Sequence, residues 1–295
     1  MRPFSGFWPA LITPYTADDQ INLTVLRELV DYHLSKQVTG FYLCGSTGEG
    51  AFQTVAERKL VTETVMARVD GRVPIIVHVG AAVLNDATHL ARHAQESGAA
   101  GISSILPPVI YNQQGVVPFF ERVAAAAPEL PFLPYLLGVS RDVMTLMHEM
   151  AHIPTLAGTK YTGPNMYEMN QVVRFRSEGW TVFSGMDEQA ALGLMYGAAG
   201  IIGSTFNLMP GVYREIYASV RRGDHAQALD LQRRANRITE LMIRHGFVGA
   251  FREGMRLLGF DCGQPRLPNL PLPEEKRASL HASFQELGLA DLAAL

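Results

Sequence analysis

The chain has 295 residues, of which 47% are hydrophobic and 18% are charged, and its formal net charge is −3 with a pI near 6.3. Charged residues are scarcer than the roughly 25% of a typical soluble domain, which predicts a large buried core, and the slightly acidic balance argues against a nucleic acid or an anionic membrane as partner. Two cysteines make no disulfide framework, the N-terminus lacks the apolar stretch of a signal peptide, and no apolar run reaches the roughly 18 residues of a membrane-spanning helix, so we expect a cytoplasmic protein.

Short apolar runs alternate with helix-like segments along most of the chain. The first run, 6–14, precedes a helix that Asn22 can cap and that has apolar residues at one-face spacing. His33 lies near that face, and we interpret it as a packing residue. The other predicted strands are 41–45, 74–80, 101–106, 131–137, 156–161, 181–185 and 200–205. The other predicted helices are 54–69, 85–97, 116–126, 141–151, 165–178, 188–196 and 209–221.

Eight strand–helix units predict a parallel sheet, and their number and size match the (β/α)8 TIM barrel of about 250 residues. The alternative is a doubly wound open sheet. The barrel is predicted to occupy residues 1–223. The rest, 224–295, is predicted to be a C-terminal helical extension packed on the barrel, with a proline-rich connection around 265–273.

A barrel places its active site at the carboxyl ends of the strands. The residues at those predicted ends are Thr13, 45–49, His78, 107–108, Tyr135, Lys160, 185–188 and 204–205. Hydroxyl groups and small residues dominate this set, with one lysine and one tyrosine. Such a set suits a carbonyl compound that bears a carboxylate.

Lys160 stands at the predicted end of the buried sixth strand. Burial favours the neutral amine, and a neutral amine is a nucleophile toward carbonyl carbons. The alternative is a lysine that extends to solvent or pairs with a carboxylate.

Three further groups at the strand ends have two interpretations each. The turn 45–48 can present backbone N–H groups and the hydroxyls of Ser46 and Thr47 to an anion, or it is a plain turn; it is not a Walker loop. Tyr135 is a proton donor and acceptor, or a packing residue. Asp187 and Glu188 bind a ligand, or they cap the helix that follows.

His78 could ligate a metal, but no second His, Cys or carboxylate stands at ligand spacing from it. The other histidines are scattered, with no H-E-x-x-H. We therefore expect no metal and no cofactor.

Residues 45–49, Tyr135 and Lys160 together resemble the pyruvate-dependent class I aldolases, the family of N-acetylneuraminate lyase and dihydrodipicolinate synthase. The likeness extends from about Gly6 to about Gly259. Four stretches favour the N-acetylneuraminate lyase branch, namely 78–80, 160–162, 185–188 and 203–207.

The resemblance implies a role for each matching residue. Lys160 would form a Schiff base with a 2-oxo acid, and Ser46 and Thr47 would bind its carboxylate. Tyr135, together with Tyr111, would be catalytic in proton transfer. Thr162 would orient the substrate tail, whose hydroxyls would be bound by Gly185, Asp187, Glu188 and Ser204. The resemblance also implies pyruvate and an aldehyde as products and a homotetramer as the assembly.

The chain departs from the family pattern around the substrate tail and the proton relay. Tyr135 is followed by Leu136, Leu137 and Gly138 rather than by Asn-x-Pro, and the stretch to Lys160 is shorter. Tyr111 matches the paired tyrosines of the family only with a small shift. The family arginine that grips a second carboxylate has no clean match, although Arg141 is close.

Three hypotheses follow from these residues. The leading one is a lyase that cleaves a 2-oxo-3-deoxy sugar acid or a sialic-acid-like compound to pyruvate and an aldehyde. The second is a synthase or a 2-oxo-acid dehydratase that uses the same imine. The third is a non-catalytic ligand-binding homologue. Fold alone does not choose among them.

Overall fold

The structure is a computed structural model that describes residues 4–106, 112–176 and 178–295. Tyr111 and 107–108 lie outside the described residues. Within the described parts of the chain, eight parallel strands form one sheet in the order β1-β8-β7-β6-β5-β4-β3-β2. The strands are β1 Gly6–Pro9, β2 Phe41–Leu43, β3 Ile75–His78, β4 Gly101–Ile105, β5 Phe132–Leu137, β6 Gly158–Thr162, β7 Thr181–Ser184 and β8 Gly200–Gly203.

The sheet closes into a barrel between β1 and β2, the two strands at the ends of this order. Ala10 forms a parallel bridge with Tyr42, and the Leu11 N–H donates to the Tyr42 carbonyl over 3.0 Å. The predicted (β/α)8 barrel is therefore confirmed, and the doubly wound open sheet is wrong.

Helices follow the strands and surround the barrel. They are α1 Leu23–Ser35, α2 Val55–Val69, α3 Leu84–Glu96, α4 Val116–Ala125, α5 Val143–Glu149, α6 Met166–Val173, α7 Ala190–Met195 and α8 Pro210–Arg221. After them come α9 His225–His245, α10 Phe247–Leu257, α11 Glu274–Glu286 and α12 Leu289–Ala294. None of the helices in the described ranges is both long and apolar enough to cross a membrane.

Local signals in the sequence explain where the first helices begin. The Asn22 side chain accepts a hydrogen bond from the Val25 N–H and caps α1. Thr54 and Glu57 form a capping box at the start of α2. The packing interpretation of His33 is confirmed, because the side chain is fully buried and burial lowers its pKa to about 3.

Several predicted elements end elsewhere; the first strand, for example, ends at Pro9 rather than at residue 14. The sixth strand continues past Lys160 to Thr162, because the Gly185 N–H bonds the Tyr161 carbonyl at 2.8 Å and extends the ladder. The eighth strand ends at Gly203, where a 3-10 turn begins at Thr205. Helix α6 ends at Val173, and the Trp180 indole then donates to the Val172 carbonyl at 2.8 Å.

A separate apolar cluster fills the barrel interior. It consists of Phe4, Trp8, Ala10, Tyr42, Ile76, Leu133, Phe183 and Ile202. Trp8 and Phe183 meet edge to face, with ring centroids 5.2 Å apart. This packed layer forms the floor on which the polar groups at the carboxyl ends of the strands lie.

Candidate active site

Lys160 lies inside the barrel in the middle of β6, and it is only 5% exposed. Tyr135 on β5 and Phe183 on β7 are its partners in the sheet register. Among the described residues, no carboxylate lies within ion-pair distance of its Nζ. The alternative of a lysine that extends to solvent or pairs with a carboxylate is therefore wrong.

Two tyrosine rings contact the amine. Nζ of Lys160 lies 4.2 Å from the ring centroid of Tyr135 and 4.7 Å from that of Tyr42. Tyr135 is 4% exposed, and the contact of its ring with Nζ places this buried side chain beside the amine. Tyr42, which lies on β2 three residues before Gly45 and belongs to the apolar cluster inside the barrel, was not among the predicted site residues.

The 45–49 turn comes close to the end of β8. Oγ1 of Thr47 and Oγ of Ser204 are 2.6 Å apart, so the structure brings these two predicted residues together at the carboxyl ends of β2 and β8, which flank β1. Ser46 is exposed and lines a cavity of about 390 Å³ beside Arg58 and His78. A Cβ on Gly48 would lie 2.8 Å from the Leu11 carbonyl oxygen, so the turn needs glycine there.

Thr162 and Gly185 lie on the other side of the amine. The Thr162 hydroxyl is buried and has no hydrogen-bond partner in the described structure. A Cβ on Gly185 would lie 1.9 Å from Thr162 Oγ1 and 2.8 Å from Lys160 Cε. Glycine is therefore required at 185 for the lysine side chain to occupy its position.

Asp187 is buried and bonded to the start of the turn after β8. Its Oδ2 accepts from the Thr205 N–H at 2.7 Å and from the Thr205 hydroxyl at 2.8 Å, and that hydroxyl is 2.6 Å from the Tyr213 hydroxyl. Burial raises the pKa of Asp187 to about 6, although both bonds from Thr205 oppose the shift. The signal for this contact was absent from the sequence, because 18 residues separate the partners.

Glu188 is half-buried, and its carboxylate has no hydrogen-bond partner within the described ranges. Its backbone carbonyl accepts from Asn236 at 3.0 Å. The alternative in which the side chain of Asp187 or Glu188 caps the following helix is wrong. Helix α7 begins at Ala190 after a 3-10 turn, and neither element has a side-chain cap.

His78 has both ring nitrogens engaged with the backbone. Nε2 accepts from the Ile105 N–H at 3.0 Å, so Nδ1 carries the proton and donates to the Cys44 carbonyl at 3.1 Å. Burial, and then the charges of Arg58 and Lys160, hold its pKa well below the ordinary value. No group of three or more potential metal ligands occurs among the described residues.

Arg141, the nearest match to the family arginine, forms an ion pair with Glu149 at 2.7 Å. Tyr111, the second predicted catalytic tyrosine, lies outside the described residues, so its relation to Lys160 stays a prediction.

Comparisons with known proteins agree along almost the whole chain. A sequence model of the dihydrodipicolinate synthetase family matches residues 3–287. N-acetylneuraminate lyase of Danio rerio is 34% identical over 292 residues, which are 95% of each chain. The Homo sapiens N-acetylneuraminate lyase is 32% identical over 298 residues, covering 97% of this chain and 93% of that one.

Solved structures of related lyases are also similar to this chain over almost its full length. The sialic acid aldolase of Ruminococcus gnavus superposes with a TM-score of 0.93 at 28% identity, covering 98% of both chains. N-acetylneuraminate lyase of Proteus mirabilis superposes with a TM-score of 0.91 at 32% identity, covering 97% of this chain and 99% of that one.

Proposed function

This chain belongs to the dihydrodipicolinate synthetase family, and on that basis we propose that it is a class I lyase that forms a lysine Schiff base. Its substrate is a 2-oxo-3-deoxy sugar acid or a sialic-acid-like compound, and its products are pyruvate and an aldehyde. The observation that carries this proposal is the buried amine of Lys160, unpaired with any described carboxylate and in contact with Tyr135. The names of the related lyases support the choice of substrate.

Lys160 forms an imine with the substrate at the start of the proposed reaction and is released from an imine at its end. Neutral Lys160 attacks the C2 ketone, and loss of water from the carbinolamine gives a protonated imine. The Tyr135 phenol supplies the proton with which the carbinolamine hydroxyl leaves as water, so Tyr135 is then a phenolate. The C3–C4 bond breaks, its electron pair moves toward the imine nitrogen, and the C4 hydroxyl proton passes to the Tyr135 phenolate as the aldehyde forms. The enamine takes a proton at C3, and water hydrolyses the resulting imine to release pyruvate and free Lys160.

The remaining residues hold the substrate. The N–H groups and hydroxyls of Ser46 and Thr47 bind the carboxylate of the 2-oxo acid, and Thr162 orients the chain. Ser204, Gly185 and the two acids Asp187 and Glu188 bind the tail. We assign the first tail contact to Glu188, because Asp187 Oδ2 is already bonded to Thr205. Tyr111 is the second catalytic tyrosine of this proposal.

The protein is also proposed to be a cytoplasmic homotetramer, since closed homo-oligomers are common among soluble enzymes. Light scattering at micromolar concentration tests the assembly. A stable monomer there contradicts it.

A panel of 2-oxo acids separates the proposed lyase from its alternatives. The panel contains N-acetylneuraminate, shorter 2-oxo-3-deoxy sugar acids, and a 4-hydroxy-2-oxo acid without a tail as the matched control. We expect pyruvate and one equivalent of aldehyde from a tailed substrate, with lower kcat/KM for the control. Loss of water without carbon–carbon cleavage would indicate a dehydratase, condensation with a second aldehyde would indicate a synthase, and binding without turnover would indicate a ligand-binding homologue.

A further inference from the structure

The Lys160 amine lies between two aromatic faces that come from different sides of the barrel. Tyr135 is on the neighbouring strand β5, whereas Tyr42 is on β2, four strands away in either direction around the closed sheet. The Tyr42 side chain therefore reaches across the barrel interior to place its ring centroid 4.7 Å from Nζ. Tyr42 is not a sheet neighbour of Lys160, so strand pairing does not account for this contact, as it does for Tyr135.

The Tyr42 ring is fixed in this orientation. Its hydroxyl donates to Ser103 Oγ at 3.0 Å, and its ring meets Tyr135 nearly edge-on, with centroids 6.3 Å apart and planes at 81°. A Cβ on Gly45 would lie 2.7 Å from the Tyr42 ring, so the first residue of the 45–49 turn packs against that ring. The hydroxyl is thus committed to Ser103, and the part of Tyr42 that faces the amine is the π face.

Few other groups near Lys160 can stabilise a positive charge on its nitrogen. The titratable groups that act on it are Tyr42, Tyr135, His78 from β3 and Asp187 from the turn after β7. His78 is neutral, and the Asp187 carboxylate is beyond ion-pair distance and bonded to Thr205. A cation over an aromatic face is favoured, most strongly where both are desolvated. The two aromatic rings are therefore the groups that stabilise a positive charge on this nitrogen, as a carboxylate would in an ion pair.

We propose that Tyr42 is a further catalytic residue of the reaction, whose ring face stabilises the protonated imine formed on Lys160. The inference rests on the proposed Schiff-base function. An imine withdraws electrons effectively only while its nitrogen is protonated. A contacting carboxylate could accept that proton, whereas a ring face stabilises the charge without being a base. No bond to Tyr42 forms or breaks. The nitrogen keeps its proton when the enamine forms, because the electron pair of the broken C3–C4 bond neutralises its positive charge.

Graded fluorination of the ring tests the proposal. The series is Tyr42→Phe, Tyr42→4-fluorophenylalanine and Tyr42→3,4,5-trifluorophenylalanine, which withdraws charge from the ring face while nearly preserving its shape. Ser103→Ala is the matched control for loss of the Tyr42–Ser103 hydrogen bond. The imine is first formed with saturating pyruvate, and the initial rate of its reduction by borohydride, which reports the protonated fraction, is measured at the alkaline pH where the Phe variant is at half its maximal rate.

A cation–π contribution corresponds to about a 2- to 30-fold change in the protonation equilibrium, so the trifluoro variant should be reduced about 1.5- to 15-fold more slowly than the Phe variant. The monofluoro variant should lie between them, and it retains a readout if the trifluoro variant does not fold. Equal rates across the fluorinated series would overturn the role of Tyr42 while leaving the Schiff base intact. Absence of any reduced adduct in the unsubstituted protein would instead overturn the proposed function.

Discussion

Arg252 in α10 donates a hydrogen bond to Oε1 of Glu49 at 2.5 Å, although 203 residues separate the two in the chain. The side chains are 3% and 2% exposed. Arg252 also donates to the Thr13 carbonyl at 3.1 Å, and Glu49 Oε2 accepts from the Arg266 N–H at 2.8 Å. The C-terminal helices therefore hold the end of the turn that carries Thr47.

Glu49→Gln should destabilise the protein strongly. The substitution leaves the buried Arg252 guanidinium without its counter-charge, and breaking a buried pair typically costs about 3–5 kcal/mol. Urea unfolding measures the effect. Asp31→Asn, which breaks the exposed Asp31–Arg68 pair, is the control and should change stability little. Equal unfolding midpoints for the two variants would show that the buried pair does not hold the turn.

Gly185→Ala should abolish imine formation without unfolding the barrel. The new methyl group would collide with Thr162 Oγ1 and Lys160 Cε, so the lysine side chain must leave its position. Borohydride trapping with pyruvate and circular dichroism measure the two effects. Gly115→Ala, where no atom lies within 4 Å of the added carbon, is the control. Normal trapping in Gly185→Ala would mean that the amine tolerates displacement.

Asp187 should make stability depend on pH in a defined direction. Its pKa is raised to about 6 in the folded protein, so its contribution to stability is fully present below the unfolded pKa near 3.8 and is lost as the pH rises through about 6. The free energy of unfolding of the parent protein, measured relative to Asp187→Asn, should therefore increase by up to about 3 kcal/mol as the pH falls from about 7 to about 4. Denaturant unfolding at several pH values checks this. A stability difference that stays constant with pH is the contrary result.

Glu188→Gln should lower the catalytic efficiency and leave the stability of the folded protein nearly unchanged. Its carboxylate has no partner among the described residues and can accept from two substrate hydroxyls, so removing the charge should lower kcat/KM for a tailed substrate by about 10- to 100-fold. Thermal melting and pyruvate trapping at Lys160 should be nearly unchanged. A variant that melts lower yet turns over every 2-oxo sugar acid normally would remove Glu188 from the tail site.

The sequence predicted the elements better than the contacts between them. Strand–helix alternation located the barrel, because buried strands and capped helices are local patterns, as Asn22 and His33 illustrate. The reach of Tyr42 across the barrel, the bonds from Thr205 to Asp187 and the Arg252–Glu49 pair depend on closure of the sheet. No local pattern encodes them. The sixth strand extended beyond Lys160 for a related reason, since a ladder continues as long as its neighbours supply partners.

The location of the Schiff base is the central claim, and mapping the reduced pyruvate adduct tests it most directly. The chain has four lysines, Lys36, Lys59, Lys160 and Lys276, of which Lys160 alone is buried. After borohydride reduction in the presence of pyruvate, peptide mass mapping should find the adduct on Lys160 and on no other lysine, and Lys160→Ala should fold but trap nothing. An adduct on Lys36, Lys59 or Lys276, or no adduct at all, would contradict the account.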